Sequence, residues 1–116
     1  MNINRLIKSA FLLAVVSCVS GNLYSAEISS NKYTIMLRGE IQKGDFEAVA
    51  KALVNSETNP NYLTIESPGG NVYEATKIGT LIRELAMGVV VDKECNSACF
   101  FILAAGVYRT TNDAFI

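Results

Sequence analysis

The chain has 116 residues, 50% of them hydrophobic, with 10 Lys and Arg against 11 Asp and Glu and a formal net charge of −1. That length limits it to one domain, and the charge balance gives no electrostatic reason to bind nucleic acid or anionic lipid. There is no histidine, which excludes a Ser-His-Asp triad built from this chain alone and leaves metal ligation to cysteines and carboxylates.

Arg5 and Lys8 precede an apolar run over 10–19, and small and polar residues follow up to Ala26. A basic segment before a short apolar one is the secretory pattern, and a run this short cannot span ~30 Å of hydrocarbon. Residues 1–26 are therefore expected to be an export leader, the other reading being a buried N-terminal helix. A cut after Ala26 would set bulky Tyr24 where a small residue is preferred, and a cut near Ser20 or Gly21 is the alternative. Val15-Val16-Ser17-Cys18 also resembles a bacterial lipobox. In that case Cys18 is the lipidated first residue, and the lipid is the one expected link to a membrane. Without Arg5 and Lys8, residues 27–116 carry 8 basic against 11 acidic side chains, a net charge of −3. Such a segment can bury a core but is shorter than the ~100–150 residues most common for domains.

Positions 32–38 (KYTIMLR) are β-branched and aromatic and are followed by Gly39, so the first strand of the domain is expected there. Phe46, Val49, Ala50, Leu53 and Val54 recur at three and four, one face of a helix with Asp45 as its N-cap. A polar loop containing Pro60 feeds a second strand over 62–66 (YLTIE), which ends at Ser67-Pro68-Gly69-Gly70. Val72, Ala75, Ile78, Ile82 and Leu85 mark an amphipathic helix, with Glu74, Lys77, Arg83 and Glu84 on its wet side. Gly88 releases a third strand over 89–91. The run 98–105 (ACFFILAA) is apolar all round and is expected to be a buried helix, ended by Gly106. Residues 107–109 and 114–116 look like strand fragments around a Thr-Thr-Asn-Asp turn. A chain that stops on Phe115-Ile116 in a strand pattern reads as unfinished. Strands alternating with helices imply an α/β domain with right-handed crossovers and a mostly parallel sheet.

Two turns carry the candidate chemistry. Gly69 and Gly70 lie between a strand end and a helix start, where backbone N–H groups favour a developing negative charge. The competing reading is a plain strand-to-helix turn. Ser97, in Cys95-Asn96-Ser97-Ala98-Cys99, also follows a strand and opens a helix. Its hydroxyl and the Ala98 N–H could serve as nucleophile and oxyanion donor, the latter worth about 3 kcal/mol of transition-state stabilisation. The competing reading is that Asn96 or Ser97 is an N-cap. Cys95 and Cys99 are either a disulfide clamping the turn, a pair of buried thiols, or a metal or redox pair. Four ligands for a structural zinc are not available, and no metal or cofactor is expected. Asp92, Glu94 and Asp113 are expected to be solvated.

These residues resemble the Clp-protease/crotonase-like fold, and within it exported bacterial proteins of the periplasmic Clp-protease-like type. The resemblance covers about 33–116 and rests on Leu63-Thr64-Ile65-Glu66-Ser67-Pro68-Gly69-Gly70-Asn71-Val72, Glu74-Ala75, Ile78-Gly79, Leu81-Ile82-Arg83, Cys95-Asn96-Ser97-Ala98-Cys99 and Leu103-Ala104-Ala105-Gly106. It implies repeated β-β-α or β-α units on a mostly parallel sheet, with the C-terminal part missing. It also implies Ser97 as nucleophile, with Gly70, Gly69 and Ala98 as the oxyanion hole. The substrate would be a peptide or another acyl compound, the location the periplasm or envelope, and assembly into homo-oligomers typical. The family's base, histidine or lysine, lies downstream of the nucleophile, in a part that would follow Ile116. Lys77 and Lys93 do not match it. A serine without a base is a weak nucleophile, so the chain alone is expected to be nearly inactive. A non-catalytic Clp-like binding domain is the alternative, and an exported protein meets little coenzyme A.

Overall fold

Ile35 and Leu37, Leu63 and Ile65, and Val89 and Val91 are all fully buried. Each pair is separated by one more exposed residue, so three successive segments bury one face at the strand period of two. A computed structural model describes residues 25–115, so residues 1–24 of the expected leader, Cys18 among them, lie outside the described residues. Its elements are β1 (Glu27–Ser30), β2 (Thr34–Arg38), α1 (Asp45–Val54), β3 (Tyr62–Ser67), α2 (Val72–Glu84), β4 (Gly88–Cys95), α3 (Cys99–Ala105) and β5 (Arg109–Phe115).

The five strands form one sheet in the order β1-β2-β3-β4-β5. β1 runs antiparallel to β2, and the other three pairings are parallel. Each helix connects neighbouring parallel strands and every step advances in the same direction. Right-handed crossovers therefore place all three helices on one face of the sheet. Ile41, Val49, Ile78, Ile82 and Ile102 join the strand residues in the core between the layers, each buried apolar side chain contributing about 1.5–3 kcal/mol of transfer free energy. The other face carries Met36, Thr64, Glu66, Val90 and Asp92, all partly exposed. Across it Arg38 lies 3.7 Å from Glu66 and 3.9 Å from Asp92, pairs exposed enough to stabilise by only ~0–1 kcal/mol.

Several elements differ from the sequence expectation. The domain's first strand is β1, four residues whose pattern is too short to stand out from the leader. Asp45 is the first residue of α1, and the N-cap is Gly44 at φ 101° with no side-chain cap of its own. Asp45 instead accepts the Gln42 N–H at 2.7 Å. Burial raises its pKa, partly offset by that bond. The polar run read as a turn is part of β5, which among the described residues pairs on one side only, with β4, a position that tolerates Thr and Asn. α3 is not buried all round: Cys99 and Ile102 are covered, while Phe100 and Phe101 are 45% and 52% exposed.

The largest departure is Glu74, expected on the wet side of α2 and 2% exposed. Its Oε1 accepts the N–H groups of Gly44 at 3.1 Å and Phe46 at 2.8 Å, and Lys77 Nζ lies 3.1 Å from Oε2. It thus supplies from α2 the cap that α1 lacks, satisfying amides that a helix start leaves without partners. Burial alone would raise its pKa, but the Phe46, Lys77 and Gly44 hydrogen bonds outweigh it and hold the carboxyl below the usual range. Asn71 caps α2 in turn, its Oδ1 accepting the Glu74 N–H at 2.8 Å.

Glu74→Ala is expected to lower the unfolding free energy by roughly 3 kcal/mol, because it orphans buried amides. A folded-state pKa below the unfolded one gives stability that is full above the unfolded value and is lost as pH falls through the folded one. In urea titrations the gap between wild type and Glu74→Ala should therefore shrink from neutral pH to about pH 3. The solvent-facing Glu84→Ala should leave stability within about 0.5 kcal/mol of wild type.

Candidate active site

In an open α/β sheet, loops leaving the C-terminal strand ends form the natural ligand crevice. Here the loops after β2, β3 and β4 meet at that edge. Gly39 N–H donates to Glu66 O at 2.9 Å, and Ile41 bridges the glycine turn by donating to Gly69 O and accepting from Asn71 N–H, both at 2.8 Å. Gly70, at φ 137°, has room for no side chain, since a Cβ there would strike the Ile41 backbone. Gly69, at φ 108°, is equally constrained from the other side. A Cβ on it would lie 2.8 Å from Ser97 Cβ, 2.8 Å from Asn96 O and 3.2 Å from Ala98 N. The structure therefore brings the two candidate turns into direct contact.

β4 reaches this position with two residues more than β3: Ile65 pairs with Val91, but Ser67 pairs with Cys95. The surplus is taken up at Lys93, which has a left-handed φ of 64°. Bulges of this kind re-aim the end of a strand. Beyond it Asn96 N–H donates to Ser67 O at 3.1 Å, fixing the height of the serine turn against β3.

Ser97 sits at φ 53°, in the left-handed region that a non-glycine residue enters at a steric cost. It is exposed. It is not a cap: the residue before α3 is Ala98, and no side chain bonds the helix start. Asn96 turns its amide toward Glu94 Oε2 at 3.1 Å. The N–H groups of Gly70 and Ala98 donate to nothing among the described residues, whereas Gly69 N–H donates to Ser67 Oγ at 3.1 Å. A serine at left-handed φ thus stands between β4 and α3, in contact with the glycine turn.

Cys95 and Cys99 are joined by a disulfide with a Cα–Cα separation of 5.3 Å. It closes the turn from within, as the sequence allowed. No group of three metal-ligating side chains occurs among the described residues, and no described helix is long and apolar enough to cross a membrane.

The ionisable neighbours are committed elsewhere. Asp92 faces Arg38, Lys93 Nζ lies 3.8 Å from Glu66, and Lys77 is held by Glu74, which raises its pKa. None of these supplies a proton acceptor for Ser97. Two residues that matter escaped sequence reasoning, Ser67 and Glu74. The Asn-x-x-Glu spacing of Asn71 and Glu74 is a capping signal that could have flagged the carboxylate, although it caps the neighbouring helix rather than its own.

Neither protein-family models nor curated protein sequences give a match. A crystal structure described as that of an enoyl-CoA hydratase, assigned as such and from Streptomyces avermitilis, is similar with a TM-score of 0.50 and 11% sequence identity. The fold is crotonase-like. The likeness covers 79% of this chain and 48% of the neighbour, so the chain spans about half that protein's length. At this identity the crotonase-like comparison speaks to architecture alone.

The clamp has a direct consequence. Closing so short a loop stabilises by about 2 kcal/mol in the chain-entropy picture. Cys95→Ser is therefore expected to lower the melting temperature of oxidised protein by several degrees and to leave reduced protein unchanged, as read by calorimetry with and without reductant. Equal shifts in both states would rule out the clamp.

Proposed function

We propose that the two turns are the nucleophile and oxyanion half of an acyl-transfer site in an exported serine hydrolase-like protein. The observation that carries this reading is the state of Ser97: exposed, uncapped, at φ 53° and in contact with the glycine turn. Strain of this kind costs about 1–3 kcal/mol and persists only where the surroundings enforce it. In the proposed step Ser97 Oγ attacks the carbonyl carbon of a peptide or other acyl substrate, giving up its proton to a base. The carbonyl oxygen becomes an oxyanion that accepts from Gly70 and Ala98 N–H. Collapse expels the leaving group, which takes back that proton from the base, and leaves an acyl-Ser97 ester, which water then hydrolyses.

The neighbouring lysines and carboxylates are paired elsewhere, so this chemistry requires a proton acceptor from outside the described residues. Export is supported by the leader pattern and by a disulfide suited to an oxidising compartment. The missing acceptor is also what favours the second reading, a Clp-like binding domain in which the turn has only a structural role.

Fluorophosphonate labelling separates the two. Oxidised chain should label slowly at Ser97, faster when imidazole is added as a surrogate base, and not at all in Ser97→Ala; peptide mapping by mass spectrometry locates the adduct. Folded protein that stays unlabelled with and without imidazole would overturn the acyl-transfer assignment in favour of the binding domain.

A further inference from the structure

Ser67 is fully buried and polar, and it touches both turns. Its hydroxyl donates to Gly39 O at 2.6 Å and accepts the Gly69 N–H at 3.1 Å. Its own carbonyl accepts the Asn96 N–H at 3.1 Å. It lies opposite Cys95 in the parallel register, at the point where the β4 bulge ends. One residue therefore joins the β2–α1 loop, the glycine turn and the serine turn through three hydrogen bonds.

We propose that Ser67 is a positioning residue for the Ser97 site, a proposal that rests on the acyl-transfer reading for its effect on reactivity. By binding the Gly69 N–H, the hydroxyl commits that amide to the scaffold and leaves Gly70 N–H as the glycine-turn donor without an acceptor among the described residues. Gly69, so held, packs against Ser97 Cβ and Ala98 N, and the Ser67 carbonyl fixes Asn96 from the strand side. The separation of oxyanion donor and nucleophile is thus set by one buried side chain that touches no substrate. An alanine at position 67 would leave the buried Gly69 amide and the Gly39 carbonyl without partners. Relief requires a rotation of the 68–69 peptide, which carries the Gly69 amide; through the Gly69 φ this moves the Gly70 donor and releases the packing behind Ser97. A misplacement of about 1 Å is enough to cost a reaction tenfold or more.

The test uses the whole oxidised chain with Ser67→Ala, Ser67→Thr and, where alanine lowers stability too far, Ser67→Cys. Backbone amide chemical shifts and hydrogen exchange come first, because they do not depend on reactivity. The expected result in Ser67→Ala is loss of protection at Gly69 and Asn96, with shifts extending to Ser97 and Ala98. Ser67→Thr, which keeps the hydroxyl, should restore them. Changes confined to Gly39 and Gly69 would overturn the proposal, whether or not Ser97 labels. With the fluorophosphonate probe and imidazole, Ser67→Ala should lower the limiting labelling rate about tenfold or more at unchanged half-saturating probe concentration. Ser67→Thr should recover most of it. A folded Ser67→Ala that labels at the wild-type limiting rate would equally overturn it. Shifts that propagate in a chain that never labels would refute the acyl-transfer reading and leave the coupling of the two turns standing.

Discussion

A buried carboxylate holds the working edge of this domain together. Glu74 is charged in a place where an unpaired charge would cost several kcal/mol, and it is tolerated because two amides and an ammonium surround it. The arrangement ties the start of α1 to the first turn of α2. It also fixes what precedes that turn, since Asn71 caps the same helix and Gly70 comes immediately before Asn71. The caps thus anchor the residue that follows the glycine turn, while Ser67 and Ile41 hold the turn itself.

From that anchor the polar groups of three adjacent loops satisfy one another almost completely. No buried side-chain polar atom lacks a partner among the described residues. Against such a background the uncommitted N–H groups of Gly70 and Ala98 stand out. So does a serine held in a backbone region it would not choose. In a scaffold whose interior is satisfied, each unpartnered polar group calls for an explanation of its own.

The crossover architecture and the helix spanning 72–84 were legible because both depend on periodicities that a single chain displays: Ile78 and Ile82 at helical spacing, Leu63 and Ile65 at strand spacing. The two turns were legible as well, since glycine at 69 and 70 and a serine between strand and helix have local causes. What was not legible depends on neighbours. The apolar run 98–105 does not say which side α3 will have covered, and Phe100 and Phe101 lie on the side that is not. Glu74 looks like any helix-surface acid until α1 arrives with amides in need of a partner. Ser67 reads as a strand end, and its role exists only once β4, lengthened by the bulge at Lys93, brings Asn96 alongside. The crotonase-like likeness adds the architecture but no chemistry.

All three helices lie on one side of the sheet, so the opposite side keeps Met36, Thr64 and Val90 half wetted in the folded state. Unfolding then exposes less new apolar surface than it would for a sheet covered on both sides. The heat-capacity increment and the denaturant slope of the described domain should accordingly fall below those usual for its length. A shallow stability curve follows, flat in temperature and displaced as a whole by small changes in free energy. For a domain that keeps Ser97 in left-handed backbone, that shallow curve sets how much distortion the fold can carry.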